Sequence, residues 1–400
     1  MVVNRFVESW LLEIMKAIVR CLAHPALYVF FISSFFVGYL RVLRERKDFS
    51  FKVYDLWYEL RTSGFAGIGL GLILSLITVL AGLVFSQASV IIMAIWTISF
   101  AIIAQYRYLS PAYTLGVSIV AAILSSKLPF SFLQLQEGEE SSVVSLAILL
   151  GLMLVVEGLL ISKNAANYST PKLRKGKRSL NIGLHESNRL WLVPLFVLIP
   201  GDALTQFISW WPVVSVGSQK FSLFLIPFLV GFTRTIKSFE PKSALLFTGR
   251  RVFGLAAVVL LLGIASYWLH TLAIVAMGVA MLGRLTIAVQ ERLEDDRRPA
   301  YFSSRDNGLV VLGTIPGTAG EELELKPGEI IVKVNGIVPT NVDEFYNALQ
   351  LRSTGAFCKM EVVDTNGELR LVQHAIYEGE HHELGIVFVE QEHQWDTEVV

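Results

Sequence analysis

Long runs of hydrophobic residues fill the first three quarters of the chain, and polar residues interrupt them only in short connections. Most of the runs are close to the roughly 20 residues that a helix needs to cross the hydrocarbon of a bilayer. They predict an all-α bundle of about seven to nine transmembrane helices within a membrane domain spanning residues 22–290. The runs lie near residues 22–40, 64–85, 88–104, 109–127, 143–162, 190–211, 215–233, 252–269 and 271–289.

The segment before these runs, residues 1–21, alternates with a helical period instead of being apolar throughout. One helical face carries Val3, Phe6, Val7, Trp10, Ile14, Ala17 and Ile18. The opposite face carries Arg5, Ser9, Glu13, Lys16 and Arg20. This pattern favours an amphipathic helix lying in the bilayer interface. A first membrane crossing is the alternative.

Composition agrees with a membrane protein, and charge divides the chain in two. Hydrophobic residues make up 53% of the chain and charged residues 17%, with a mean hydropathy of +0.55, which is too apolar for an ordinary soluble protein. Residues 1–302 hold 28 Lys/Arg against 17 Asp/Glu, and residues 303–400 hold 6 against 17, so a net charge of +11 is joined to one of −11. We expect the acidic part to be repelled from anionic headgroups and to hang free in water.

Basic residues indicate which connections face the cytoplasm. They concentrate at residues 41–61, 163–189, 234–251 and 284–298, whereas residues 128–142 hold three glutamates and no Lys or Arg. All four basic segments lie on one side of the membrane if four spans separate the first from the second, two separate the second from the third, and two separate the third from the fourth. The C-terminal part is therefore predicted to lie in the cytoplasm, and the side of the N-terminus stays open.

Three charged residues fall inside the apolar runs, where charge is costly. Glu157 and Arg284 both lie toward the cytoplasmic ends of their predicted helices, so we expect them to pair with each other or to snorkel. Asp202 ends "IPGD", Ile199 to Asp202, which indicates a broken helix of the kind that transporters use. Small residues at four-residue spacing favour close helix packing and leave a homo-oligomer as an option. They are Gly67 with Gly71, and Ala276 with Ala280.

The sequence carries none of the motifs that would indicate catalysis. HExxH, GxSxG and GxxxxGK[ST] are absent, and no catalytic residue, cofactor, metal or nucleic acid is predicted. His381 and His382 lie beside glutamates in a polar stretch and are expected to be solvated. The two cysteines, Cys21 and Cys358, imply no disulfide framework.

After a charged linker at residues 291–302, β-type runs alternate with turn signals. "GLVVLGTI" and "EIIVKV" predict strands, Pro327-Gly328 and Asn335-Gly336 predict turns, and "NVDEFYNALQ" predicts a helix. Two further strands flank Thr365-Asn366-Gly367. The pattern indicates a small α+β, mostly β, domain at residues 303–392, followed by an acidic tail at residues 393–400.

This segment resembles bacterial PDZ domains. The resemblance is carried by Leu325, Gly328, Glu329, Ile330 or Ile331, Val334, Asn335 and Gly336. "GTAGEELELKPG" departs from the family by being longer and more acidic. PDZ domains bind an extended peptide as an added strand beside a helix, and a circular permutation would put their peptide-binding loop last in this chain. The resemblance then implies a groove formed by Leu384, Gly385, Ile386, Val387, Phe388, Val342, Phe345, Ala348 and Leu349. The alternative is that residues 384–389 are only a closing core strand.

The whole chain is similar in architecture to the MinJ family of division-site topological determinants, with a basic first connection, "GYLRVLRERKDF", and a C-terminal PDZ-like domain. The resemblance implies a non-enzymatic plasma-membrane scaffold that is enriched at septa and poles and links the coiled-coil protein DivIVA to the ATPase MinD. An accessory subunit of a membrane protease or secretion complex is the alternative, and a transporter is the third.

Overall fold

The computed structural model describes residues 2–103, 105–124, 141–176, 181–205, 210–214, 220–303, 305, 307–350, 357–375 and 384–389. The α-helices are α1 Val2–Leu22, α2 Pro25–Phe49, α3 Tyr58–Ala81, α4 Gln87–Ile102, α5 Pro111–Ile123, α6 Ser141–Lys163, α7 Pro241–Ala265, α8 Thr271–Arg297, α9 Ala319–Glu322 and α10 Val342–Gln350. Short 3-10 helices span Tyr106–Leu109 and Ala165–Asn167. The strands are β1 Thr170–Lys175, β2 Asn181–Thr205, β3 Lys220–Ile236, β4 Phe302–Ser303, β5 Leu309–Thr314, β6 Ile330–Val334, β7 Phe357–Val363, β8 Leu369–Ala375 and β9 Ile386–Phe388.

Within these described ranges, five helices are long and apolar enough to cross a membrane, namely α2, α3, α6, α7 and α8. Each corresponds to a run in the hydropathy pattern, and together they make the chain a membrane protein. Helices α4 and α5 are apolar but shorter, with 16 and 13 residues. The described residues therefore contain fewer full-length helices than the seven to nine that the runs predict.

The other two runs, 190–211 and 215–233, are not helical where the structure describes them. They belong to β2 and β3, which pair antiparallel from His185 opposite Ile236 to Thr205 opposite Lys220. Proline disrupts a helix interior, whereas strands tolerate it where no ladder bond is needed, and Pro194 lies opposite Pro227 in this ladder. The prediction of an all-α body is therefore wrong, because a strand buried on both faces is as continuously apolar as a buried helix.

The outer edge of β2 is covered by α3, whose side chains bond to the exposed backbone of the strand. The Ser75 hydroxyl accepts from the backbone N–H of Phe196 at 2.8 Å and lies 3.3 Å from the Pro194 carbonyl. Thr78 donates to the Phe196 carbonyl at 3.0 Å. On the other edge, the Glu13 carboxylate of α1 accepts from the Leu223 N–H at 3.3 Å. These bonds satisfy backbone groups that lipid could not.

Close approach of α3 to β2 depends on Gly67 and Gly71. An ideal Cβ on Gly67 would lie 2.3 Å from the Leu192 carbonyl oxygen, and one on Gly71 would lie 2.5 Å from that of Pro194. The predicted close packing therefore occurs, but its partner is a strand. On α8, Ala276 and Ala280 are fully buried, as the other small-residue pair predicts.

The predicted pairing of Glu157 with Arg284 is confirmed. Arg284 Nε donates to Glu157 Oε1 at 3.0 Å, and the Ser110 hydroxyl donates to Glu157 Oε2 at 2.7 Å. Both charged side chains are buried between α5, α6 and α8. Asp202 is exposed near the end of β2 beside a register shift, so the prediction of a broken helix there is wrong, and the transporter hypothesis loses its basis.

Helix α1 packs on β3 and leaves an apolar face outward. Glu13, Ala17 and Cys21 are buried, whereas Leu12 and Val19 are more than half exposed. Ala17 belongs to the apolar face that the sequence predicts, but Ile18 of that face is exposed. The position of α1 relative to the bilayer stays a prediction.

The four basic segments meet at one end of the body, which we call the basic end. Arg44 of α2 pairs with Glu186 of β2, and Arg189 of β2 donates to Thr62 of α3 at 2.8 Å. Arg234 of β3 pairs with Glu291 of α8 at 3.2 Å. A single-sided location of these segments is what the positive-inside rule requires.

The C-terminal domain is a five-stranded antiparallel sheet in the order β8-β7-β6-β5-β9, with α10 packed on one face. Its core includes Val311, Ile331, Val334, Phe345 and Met360. Residues 291–297, in the segment expected to be a charged linker, belong to α8. The predicted external loop at residues 128–142 is described only for its last two residues. His381, His382 and the acidic tail lie outside the described residues.

Candidate functional site

Strand β9 is the outermost strand of the C-terminal sheet among the described strands, and α10 lies beside it. The ring centroids of Phe345 on α10 and Phe388 on β9 are 5.0 Å apart. The structure thus brings together the two elements that the sequence assigned to a peptide-binding groove. In this arrangement Leu384, Ile386, Phe388, Phe345, Ala348 and Leu349 share one hydrophobic core, and Val342 packs half-buried against it.

The turn that precedes β9 requires a glycine. Gly385 has a φ of +70°, and an ideal Cβ there would lie 2.1 Å from the Thr318 hydroxyl oxygen. The carbonyl of Gly385 accepts from the Ile315 N–H at 2.7 Å, and that of Leu384 accepts from the Gly320 N–H at 2.6 Å. The turn is therefore rigid, and a side chain at Gly385 would strain it.

Helix α10 is held against the sheet by the Asn335-Gly336 turn. Asn335 Nδ2 donates to the Ala348 carbonyl at 3.1 Å, and its Oδ1 accepts from the Lys359 N–H at 3.1 Å. Asn335 and Gly336 have φ values of +50° and +89°, as the predicted tight turn requires. The turn thus fixes the distance between α10 and the sheet.

Val387 lies on the opposite face of β9 from the core residues. Side chains alternate across a strand, and Val387 and Val389 pack against the membrane body instead of facing α10. They join a second cluster, which we call the docking cluster: Val53, Phe302, Val310, Leu312, Val387 and Val389. The side chain of Val387 therefore does not line the face that α10 covers, and its place in the peptide-binding groove stays a prediction.

The docking cluster shows that the C-terminal domain lies against the basic end. At its centre, the ring of the fully buried His185 contacts the Leu312 carbonyl of β5 through Nε2 at 2.7 Å and the Ser169 hydroxyl through Nδ1 at 2.9 Å. Gly183 permits the contact, because an ideal Cβ there would lie 2.6 Å from Leu312 Cδ1. The expectation that the acidic part hangs free in water is thus wrong. Apolar contact and one buried imidazole hold it to the body.

Docking is expected to weaken in acid because of His185. Burial lowers the pKa of His185 to about 4 from its ordinary 6.5. The unfolded chain therefore binds more protons than the folded one between about pH 6.5 and pH 4. The stabilising contribution is complete above pH 6.5 and is lost as the pH falls, at up to about 1.4 kcal/mol per pH unit.

Thermal unfolding of the full-length chain at pH 7.5 and pH 5.0 measures this effect. His185→Asn should remove that part of the pH dependence. The control His270→Asn, at an exposed histidine just before α8, should keep the wild-type profile. Equal pH profiles for wild type and His185→Asn would contradict the assignment.

Sequence reasoning missed the residues that dock the domain. His185 and Gly183 lie in a strand taken as a connection, and Phe302 lies in a segment taken as a linker. The basic charge of residues 163–189 indicated the side of the membrane on which this segment lies, but not its contact with the C-terminal domain. A lone histidine or glycine carries no signal of its partner. Among the described residues, no group of three or more His, Cys, Asp or Glu side chains is placed to hold a metal ion.

Comparison with known proteins gives full-length relatives. The chain is 38% identical over 388 residues to the cell division topological determinant MinJ of Bacillus subtilis, covering 96% of this chain and 97% of that protein. It is 24% identical over 382 residues to probable cell division topological determinants MinJ of Lacticaseibacillus paracasei and Lacticaseibacillus casei, covering 94% of this chain and 100% of each relative. No protein-family model matches the chain. No solved structure matches it either.

Proposed function

We propose a scaffolding role in division-site selection for this chain, which belongs to the MinJ family of cell division topological determinants. In this role the apolar helices cross the plasma membrane several times, and the basic end faces the cytoplasm. The C-terminal domain is PDZ-like and recruits MinD to a pole or septum that DivIVA marks. The scaffold itself catalyses no reaction.

The observation that carries the proposal is the end-to-end similarity to the Bacillus subtilis relative. The match covers the membrane body and the C-terminal domain together, so it supports a role that uses both parts. The concentration of basic segments at one end supports a cytoplasmic orientation for that end. Anchoring confines the docked domain to two dimensions, which raises its effective concentration for other membrane-associated proteins.

Cellular localisation tests the scaffold role. The full chain fused to a fluorescent protein in a rod-shaped Gram-positive host should concentrate at septa and poles. It should lose that pattern when DivIVA is deleted. A uniform peripheral signal in cells that contain DivIVA would contradict the proposal.

Partner capture tests the groove between β9 and α10. Val342 is half-buried at the start of α10, so Val342→Asp should reduce MinD co-purification with the full chain at least about 10-fold, as expected for loss of roughly 1.4 kcal/mol of binding free energy. Leu371→Asp is the matched control, since Leu371 is exposed on β8 at the far edge of the sheet. Equal capture by both variants would show that the groove is not the MinD site.

A further inference from the structure

A cavity of about 280 Å³ lies at the basic end, between the C-terminal half of α2 and the first part of β2. Its polar wall is formed by Arg41, Arg44, Arg189, Glu59 and Glu186. With the groups that pair with these side chains, Glu45 and Lys172, the cluster holds four cations and three carboxylates, so it carries one positive charge in excess. The division-site role does not account for this surplus.

The carboxylates are already engaged by two of the arginines. Arg41 contacts Glu59 at 2.5 Å and Glu45 at 2.9 Å, and it also donates to backbone carbonyls. Arg44 pairs with Glu186. Among the described residues, Arg189 is thus the arginine of this lining that no carboxylate pairs with.

Arg189 is buried without an acid partner in the described part of the chain. Only 1% of its surface is exposed. Its guanidinium donates to the Thr62 hydroxyl at 2.8 Å and lies over the rings of Tyr58 and Tyr168, 5.2 and 5.7 Å from their centroids. Its Nε and that of Arg44 are both buried without a hydrogen-bond partner. A buried cation in this condition is costly unless an anion joins it.

The outer wall of the cavity is apolar and faces away from the body. Phe36 and Leu40 line it, and both side chains are more than half exposed. They lie on a helix that is apolar enough to cross a membrane, one turn before Arg41 and Arg44. In the proposed membrane orientation, this is the level at which α2 passes from hydrocarbon to headgroups. The cavity thus joins a lipid-compatible surface to a cationic interior.

We propose that this cavity binds a phosphate group through Arg189 and Arg44, with an anionic phospholipid as its source. Guanidinium groups bind phosphate with paired, charge-assisted hydrogen bonds, and two donors here are unused. The volume is just below the roughly 300–1,000 Å³ of drug-sized pockets, which suits a phosphate with part of its glycerol. The acyl chains would lie outside over Phe36 and Leu40. The proposal rests on the proposed function in one respect: the cytoplasmic orientation of the basic end places the lipid in the cytoplasmic leaflet.

Thermal unfolding of the full-length chain in neutral detergent tests the site. Added phosphatidylglycerol should raise the unfolding midpoint in a saturable manner, by roughly 4 °C, and native mass spectrometry should retain one such lipid. Phosphatidylcholine should do neither. Inorganic phosphate is the arm that separates the sources. A larger effect of the lipid identifies a phospholipid site, and an equal effect of phosphate alone identifies a site for a soluble phosphate compound.

Variants connect the effect to the cavity. Arg189→Gln should weaken phosphatidylglycerol binding at least about 10-fold, and Arg189→Lys should restore part of it by keeping the charge. Arg251→Gln is the matched control, because Arg251 pairs with Glu294 on α8 outside the cavity. Equal effects of the two lipids on the wild type would overturn the proposal without any variant. So would equal loss in Arg189→Gln and Arg251→Gln.

Discussion

Gly67→Leu is expected to destabilise the membrane body by at least about 3 kcal/mol, and to lower its level in cells accordingly. The Cβ of the new side chain would meet the Leu192 carbonyl oxygen at 2.3 Å. That atom belongs to the backbone of β2, which is paired with β3 along its length and cannot move aside alone. Separation of α3 from β2 would also break the bonds that Ser75 and Thr78 make to the strand.

The control for this prediction lies two residues away on the same helix. An ideal Cβ on Gly69 meets nothing within 4 Å, so Gly69→Leu adds an apolar side chain to an open surface and should be neutral or slightly stabilising. Thermal unfolding in detergent and the amount of membrane-inserted protein measure both variants. Similar stabilities for Gly67→Leu and Gly69→Leu would show that α3 and β2 are not packed this closely.

Glu157→Ala is expected to lower the free energy of unfolding by about 3–5 kcal/mol, because it leaves the buried Arg284 without its carboxylate partner. The Ser110 hydroxyl would lose its acceptor as well. Replacing both charges, as in Glu157→Leu with Arg284→Met, should recover most of the loss. A well-packed apolar pair of similar volume is often as stable as a buried ion pair.

A half-buried pair provides the comparison. Glu294→Ala removes the partner of Arg251 near the surface, at 2.7 Å, and should change the free energy of unfolding by less than about 1 kcal/mol. A double-mutant cycle on Glu157 and Arg284 gives their coupling energy. A cycle without coupling would contradict the pairing.

The Glu157–Arg284 pair could be predicted from the sequence. Two opposite charges at similar depth in apolar runs lower the energetic cost of their burial most by pairing with each other. The C-terminal strands could be predicted too, since Pro327-Gly328 and Asn335-Gly336 are local signals that need no distant contact. The groove assignment joined β9 with α10, which the structure brings side by side. Peptide binding by that groove stays a prediction.

The β2–β3 hairpin could not be predicted in the same way. Its runs have neither the two-residue nor the 3.6-residue period, because both faces of the strands are buried, one in the core with α6 and α7 and the other against α1, α2 and α4. Prolines such as Pro194 and Pro227 were the available signal against a helix. The docking of the C-terminal domain had no comparable signal, since His185 and Leu312 are 127 residues apart.

The sequence alone determined that this chain is a membrane protein with a chemically distinct acidic domain at its C-terminus. The reason is that the free energy of transferring a segment from water to hydrocarbon depends on the composition of that segment. Tertiary structure decided which apolar runs are strands, that the acidic domain is docked, and that Arg189 has no carboxylate partner among the described residues. Each of these depends on contacts between segments distant in the chain. Hydropathy reports that a residue avoids water, whereas only the fold specifies what it contacts instead.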